Sequence, residues 1–156
     1  MFKKKWVAIL VFGVLLILFA TGGTLIREYA SNIDKDEINI LLKGALEDNS
    51  WMTASSVGEL EDILGRYYTD PLLSELVNNT WEFISKPTDW YGKAKLENFA
   101  IIRYDSYEME ISAEISETDL IYGDKHWGEA IYTIRKTDEG WKVASAQYHW
   151  NMKDKL

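Results

Sequence analysis

The sequence predicts an α+β protein that begins with one transmembrane helix and continues as two or three helices packed on a curved, four-stranded antiparallel sheet. Residues 6–26 carry no charge and are mostly apolar. Apolar side chains then recur at helical spacing up to about residue 84, and from about residue 96 to residue 150 they alternate with polar ones. Helices followed by a run of strands are typical of an α+β domain, and strands joined by hairpins are antiparallel.

The predicted transmembrane helix, residues 6–26, follows three lysines at positions 3–5. At about 1.5 Å per residue, its 21 residues span roughly 31 Å, enough for a bilayer core. Lysines beside a membrane span stay in the cytoplasm, so residues 1–27 are expected to anchor the chain with its amino end inside the cell. The alternative is a signal peptide cleaved near Ala20-Thr21-Gly22, which would leave the remainder secreted. The length of the apolar run favours the anchor.

Beyond residue 26 the chain is strongly acidic. It holds 14 of the 17 basic residues and all 25 acidic ones, a net charge of −11. Such a charge repels nucleic-acid phosphates, so no nucleic-acid partner is expected. The acidic excess is most simply a solvated surface, and the alternatives are a basic protein partner or a cation-rich cell-wall environment. The absence of cysteine excludes disulfides, thiolate metal sites and a catalytic cysteine.

A polar connector, residues 28–32, precedes a domain predicted over residues 33–156. Its first helix is expected over residues 33–47, with an apolar stripe formed by Ile38, Leu41, Leu42 and Ala45. The second helix starts at Ser56, since Glu59 three residues later completes a capping-box pattern. Thr69-Asp70-Pro71 breaks that helix, and Pro71 takes an early position in a third helix that reaches about residue 84.

Four strands are predicted after a loop at residues 86–89. The first covers residues 96–103, and a tight turn at residues 104–106 leads into the second, in which apolar and polar residues alternate over 107–115. Residues 118–125 form a connection. The third strand covers residues 127–136, a hairpin turn lies at 137–140, and the last strand covers 141–150.

Residues 59–73 and the closing hairpin resemble the NTF2-like (cystatin-like α+β cone) superfamily. In that hairpin, residues 130–136 form one strand, and Gly140-Trp141-Lys142-Val143 opens the next. The resemblance implies a cone with a pocket between the helices and the concave face of the sheet. In the superfamily this pocket serves isomerases, dehydratases, ligand sensors and structural domains, so the resemblance leaves the function open.

Six residues are candidates for lining such a pocket. Asp105 with Tyr107, or Tyr67 with its neighbour, resembles the pairing of a base with a phenol, and His149 lies between two aromatic residues. The bland alternatives are an exposed turn for Asp105, a packed helix face for Tyr67 and a half-exposed strand position for His149. The candidate ligand-binding set is Tyr67, Asp105, Tyr107, Trp127, His149 and Trp150.

No catalytic constellation, cofactor motif or metal-ligand spacing is present. The two histidines are 23 positions apart, and the sequence lacks a P-loop, GxGxxG and GxSxG. The tryptophans of the domain could line a binding pocket, but their positions favour a compact aromatic core. The sequence therefore favours a membrane-anchored, extracytoplasmic, non-enzymatic interaction or scaffolding domain of the bacterial envelope. The alternatives are a small-ligand module and, less favoured, a pocket enzyme of isomerase or hydrolase type.

Overall fold

The computed structural model describes residues 35–86 and 92–150, and this part of the chain has the predicted α+β architecture. Three helices come first, with a short 3₁₀ helix (Ser50–Thr53) after the first of them: α1 (Lys35–Glu47), α2 (Val57–Leu64) and α3 (Leu72–Ile84). Four strands follow: β1 (Gly92–Tyr104), β2 (Glu108–Asp119), β3 (Lys125–Thr137) and β4 (Gly140–Trp150).

The predicted anchor (residues 6–26), the connector (28–32) and the polar tail (151–156) lie outside the described residues. Within residues 35–86 and 92–150, no helix has both the length and the apolar composition needed to cross a bilayer.

The helices form for the reasons that their sequences indicate. In α1, Ile38, Leu41 and Leu42 are buried, as the apolar stripe predicts. In α2, the Ser56 hydroxyl accepts a 3.2 Å hydrogen bond from the backbone N–H of Glu59, which is the predicted N-cap.

The reciprocal half of the capping box differs from the prediction. The Glu59 carboxylate accepts hydrogen bonds from the backbone N–H and the hydroxyl of Ser55, at 2.8 and 2.6 Å, rather than from the N–H of Ser56. These bonds hold the pKa of Glu59 below its usual value. Pro71 lies immediately before α3 rather than within its first turn, and Asp70 accepts hydrogen bonds from the N–H and hydroxyl of Ser74 instead.

The sheet is an antiparallel meander in the order β1-β2-β3-β4. Register shifts in β1, near Leu96 and Ile101, and in the β3–β4 pair, near Thr133, mark bulges that bend the strands. One face carries the core, where the side chains of β2 and β3 are at most 1% exposed: Met109, Ile111, Ala113, Ile115, Ala130, Tyr132 and Ile134.

The strands are longer than the sequence predicts. β1 begins at Gly92 rather than residue 96, and β2 continues to Asp119, so the connection to β3 shortens to residues 120–124. Gly92 to Lys95 have weak strand propensity, which explains the short prediction. Pairing with β2 and a 2.9 Å hydrogen bond from the N–H of Leu96 to the Glu47 carboxylate stabilise the start of the strand.

The link between α2 and α3 is fastened to β4. The N–H of Val143 donates to the carbonyl of Tyr67 at 2.8 Å, and the N–H of Thr69 donates to the carbonyl of Val143 at 3.0 Å. The buried Lys142 ammonium donates to the carbonyls of Gly65 and Arg66, at 2.7 and 3.0 Å, where α2 ends. A cation at this position offsets the negative end of the helix dipole and satisfies unpaired carbonyls. These contacts fix the tyrosines of the link above the sheet.

Candidate functional site

A cavity of about 210 Å³ lies where the ends of α1 and α2 meet α3 and the last strand. Four aromatic side chains line it, namely Trp51, Tyr67, Tyr68 and Tyr148. Apolar residues of the helices and the polar residues Asp48, Asn49 and Thr80 complete the wall. Its volume is below the several hundred Å³ of typical small-molecule pockets. Only a small molecule or a few waters fit.

Gly44 sets the position of the Tyr67 ring against α1. A Cβ atom at residue 44 would overlap that ring, so a side chain there would displace it. The Tyr67 hydroxyl donates a 2.8 Å hydrogen bond to Oδ2 of Asp48, the residue after α1. Oδ1 of Asp48 accepts a 2.9 Å hydrogen bond from the N–H of Ser50. The pair thereby connects the end of α1 to the end of α2.

The two partners of this hydrogen bond have displaced pKa values. Burial raises the pKa of Asp48, but the hydrogen bonds from Ser50 and Tyr67 and the charge of Arg66 outweigh it, so the pKa lies below its usual value. Burial, followed by the Asp48 carboxylate, raises the pKa of the Tyr67 phenol. At neutral pH Asp48 is therefore an anion and Tyr67 a neutral donor.

Three further tyrosines lie between the helices and the sheet: Tyr68 on the α2–α3 link, Tyr132 on β3 and Tyr148 on β4. The Tyr68 hydroxyl donates to the carbonyl of Ala45, and burial raises the pKa of Tyr68. Tyr132 is fully buried, and its ring meets that of Tyr148 edge to face at 6.0 Å between centroids. Among the described residues the Tyr132 hydroxyl makes no hydrogen bond of good geometry, although the Tyr148 hydroxyl lies close to it; burial and then that phenol raise the pKa of Tyr132.

Of the six residues predicted from the sequence, Tyr67 lines this cavity and the others lie elsewhere. Asp105 is in the exposed β1–β2 turn, where its carboxylate accepts hydrogen bonds from the N–H groups of Tyr107 and Glu108, both at 2.9 Å. Tyr107 is 73% exposed beside it. These two hydrogen bonds hold the pKa of Asp105 below its usual value.

The remaining predicted residues are at the opposite end of the sheet. Trp127 lies on the outer face, 43% exposed, with the Lys125 ammonium 4.2 Å from the ring centroid. His149 is exposed opposite Glu129. Trp150 packs against Gly128, where a Cβ atom would come within 2.8 Å of the indole. The structure thus leaves these residues apart from the cavity.

The candidate set derived from the sequence lacks the lining residues Asp48, Trp51 and Tyr148, although Trp51 is one of the tryptophans considered for a pocket or the core. Asp48 was interpreted only as the end of the first helix, because nothing local links it to Tyr67, which is 19 positions away. Tyr148 was treated only as a neighbour of His149. Its alternation with Ala146 and Trp150 on β4 was the available signal for a position facing the core side of the sheet.

A saturated ion cluster lies on the outer face of the sheet. The Glu97 carboxylate accepts hydrogen bonds from Ser116 at 2.8 Å and from Lys95 and Lys125, each at 2.9 Å. The hydrogen bonds from Lys125, Lys95 and Ser116, in that order, lower the pKa of Glu97 to about 2. No group of three metal-ligating side chains occurs in residues 35–86 and 92–150.

The β2–β3 connection presents an exposed apolar tip, which consists of Leu120, Ile121 and Tyr122. Their exposed fractions are 62%, 59% and 78%. The Asp119 carboxylate accepts hydrogen bonds from the N–H groups of Ile121 and Tyr122, at 2.7 and 3.0 Å, and the Asp119 carbonyl accepts one from Gly123 at 2.8 Å. This bonding holds the turn in shape while its apolar side chains face solvent.

No protein-family model matches the sequence, and neither does any curated protein. Solved structures do match the fold. A protein of unknown function with a cystatin-like fold from Nostoc punctiforme has a TM-score of 0.56 and 12% identity, over 78% of this chain and 94% of its own.

Two further solved structures are similar to the chain. A protein from Novosphingobium aromaticivorans described as an aromatic ring hydroxylase has a TM-score of 0.52 and 16% identity, over 74% of this chain and 87% of its own. The intermembrane space region of the chloroplast protein ARC6 has a TM-score of 0.50 and 12% identity, over 77% and 99%. At these identities the likeness concerns the fold.

Proposed function

Because the described residues form an NTF2-like, cystatin-like domain, we propose that the chain is a membrane-tethered, non-enzymatic interaction domain on the outer side of a bacterial membrane. Its anchor would be residues 6–26, with the lysines at 3–5 in the cytoplasm. The fold alone does not select this function, since the similar structures include a protein described as an aromatic ring hydroxylase and the intermembrane space region of a chloroplast protein.

The apolar tip carries the proposal. Three consecutive large side chains, each 59–78% exposed, would lower the solubility of the domain if nothing covered them. Because hydrogen bonds to the Asp119 carboxylate fix the turn, binding to a partner loses little conformational entropy in the tip. Such a preformed apolar tip suits insertion into a groove of a protein partner.

The cavity argues against an acid–base enzyme. A general base that works near neutral pH has a carboxyl pKa raised toward 7, whereas the pKa of Asp48 is lowered. The pKa of Tyr67 is raised, so its phenol stays protonated at neutral pH. His149 and Asp105, the two predicted acid–base candidates, lie away from the cavity.

The second candidate function is a small-ligand module, and the aromatic lining around Asp48 favours it.

Site-specific photo-crosslinking in intact host cells tests the proposal. A benzophenone amino acid replaces Ile121 in the tip, and a control variant carries it in place of Tyr107, an aromatic residue at another hairpin that is still more exposed. The proposal predicts a discrete adduct of constant mass from position 121, absent from position 107. Replacing both Leu120 and Tyr122 with serine should abolish that adduct.

Two results would contradict the proposal. One is the same adduct pattern from both positions. The other is a position-121 adduct that persists when Leu120 and Tyr122 are serine, because the apolar side chains would then not contribute to the contact.

A further inference from the structure

The cavity wall combines aromatic rings with a single charge. Of the residues that line it, Asp48 alone is ionised at neutral pH, and Trp51, Tyr67, Tyr68 and Tyr148 contribute rings. Asp48 is partly exposed, so solvent reaches the carboxylate. Among the residues that the structure describes, its oxygens accept hydrogen bonds from neutral donors, the N–H of Ser50 and the hydroxyl of Tyr67.

The Asp48 charge is not neutralised by an ion pair. No basic side chain in the described part of the chain lies within 4.0 Å of its carboxylate. Arg66 is near enough to lower the pKa of Asp48 but makes no contact of this kind with it. A partly buried anion among rings, with no ion-pair partner in contact among the described residues, is electrostatically complementary to a cation.

Aromatic faces add to the attraction. The negative face of an indole or phenol ring attracts an ammonium group within about 6 Å, and the attraction strengthens where water is excluded. The net charge of −11 beyond residue 26 also raises the local concentration of cations. Metal ions fit this wall poorly, since it offers one carboxylate and no cluster of ligating side chains occurs among the described residues.

The size of the cavity limits the ligand. A cavity of about 210 Å³ is below the range of drug-sized pockets, so it suits only a small molecule. We propose that this cavity binds a small organic ammonium ion, with Asp48 as its counter-ion and the rings of Trp51, Tyr67 and Tyr148 around its cationic head. This site is separate from the apolar tip and does not depend on the membrane anchor.

Choline and its uncharged carbon isostere, 3,3-dimethyl-1-butanol, form a matched pair of probes because they differ in charge but hardly in shape. Binding of each to the full chain in detergent micelles is measured by isothermal titration calorimetry at constant ionic strength. The proposal predicts that choline binds at least about tenfold more tightly than the isostere. Equal affinities, or no choline binding, would overturn it without any variant.

Variants then locate the site. Asp48→Asn keeps the shape of the side chain and removes its charge, and Trp51→Leu removes a ring; each is expected to weaken choline binding at least about tenfold. The controls are Asp62→Asn, an exposed carboxylate on α2, and Trp127→Leu, an exposed indole on the sheet, and both should leave the affinity unchanged. Circular dichroism of each variant confirms that it is folded.

An affinity that falls equally in the Asp62→Asn control would show non-specific attraction by the acidic domain and overturn the assignment. Unchanged affinity in Asp48→Asn would do the same. Because choline binding is measured on purified protein, its failure leaves the crosslinking result at Ile121 untouched, and the converse holds as well.

Discussion

The Tyr67 hydroxyl donates a 2.8 Å hydrogen bond to Oδ2 of Asp48, which joins the ends of α1 and α2 across 19 positions of sequence. The same hydrogen bond holds the Asp48 carboxylate in place at the cavity and lowers its pKa. Packing of the Tyr67 ring against Gly44 keeps the phenol in this position. The contact between the ends of α1 and α2 and the ionised state of Asp48 in the cavity therefore both depend on Tyr67.

Tyr67→Phe should destabilise the domain by about 1 kcal/mol, because it removes one hydrogen bond to a partly buried carboxylate and leaves the packing intact. Urea unfolding of the full chain in detergent, followed by far-UV circular dichroism, measures the change. Tyr107→Phe is the matched control, since that exposed ring is in a turn and is not expected to alter stability. Equal stability of Tyr67→Phe and the parent protein would show that the hydrogen bond to Asp48 does not stabilise the domain.

The two buried tyrosines of the cone should respond in opposite ways to loss of the hydroxyl. Tyr68→Phe removes the hydrogen bond to the Ala45 carbonyl and should cost about 1–2 kcal/mol. Tyr132→Phe removes a fully buried hydroxyl that makes no hydrogen bond of good geometry among the described residues, so the effect should be neutral or stabilising by at most about 1 kcal/mol. Thermal unfolding of both variants decides the matter. A large loss of stability in Tyr132→Phe would reveal a partner for that hydroxyl.

Alanine substitutions at two helix glycines should change the stability of the domain in opposite directions. Gly44→Ala places a methyl group on the Tyr67 ring and should destabilise by about 1–3 kcal/mol through overpacking. Gly58→Ala, on α2, meets nothing within 4 Å and should stabilise by about 0.5–1 kcal/mol through helix propensity. Denaturant midpoints at unchanged slope measure both changes. Loss of stability in Gly58→Ala would contradict the placement of that residue in an open part of α2.

Glu97 should make the stability pH-dependent in acid. Its pKa falls from the ordinary 4.5 to about 2 in the folded protein. A lowered folded-state pKa means that the contribution is present above about pH 4.5 and is lost as the pH falls toward 2. The unfolding temperature of Glu97→Gln should therefore fall less over this range than that of the parent. Glu114→Gln, at an exposed position of β2, is the control, and parallel curves for parent and Glu97→Gln would refute the prediction.

Much of the fold follows from local sequence. The alternation in β2 specified which side chains face the core, and Ser56 specified the start of α2, because both signals operate within a few residues. The start of β1 was missed because Gly92 and Lys93 have weak intrinsic strand propensity and depend on pairing with Asp119 and Thr118.

Most residues that line the cavity could not be predicted from the sequence. Tyr67 was among the predicted residues, but its partner Asp48 is 19 positions earlier and Tyr148 is on the last strand. Only tertiary packing brings these residues together. Asp105 and His149 were selected by residue type, and type alone does not indicate on which side of a sheet or at which end of it a side chain lies.

Accessibility of introduced thiols tests whether the domain is anchored on the outer side of the membrane. The chain has no cysteine, so Asn79→Cys on the exposed side of α3 and Lys4→Cys before the apolar run each supply one reactive group. The account predicts that a membrane-impermeant maleimide labels Asn79→Cys in intact cells and Lys4→Cys only after permeabilisation, with both chains at full-length mass in the membrane fraction. Labelling of Asn79→Cys only after permeabilisation, or release of a shortened chain from the membrane, would contradict it.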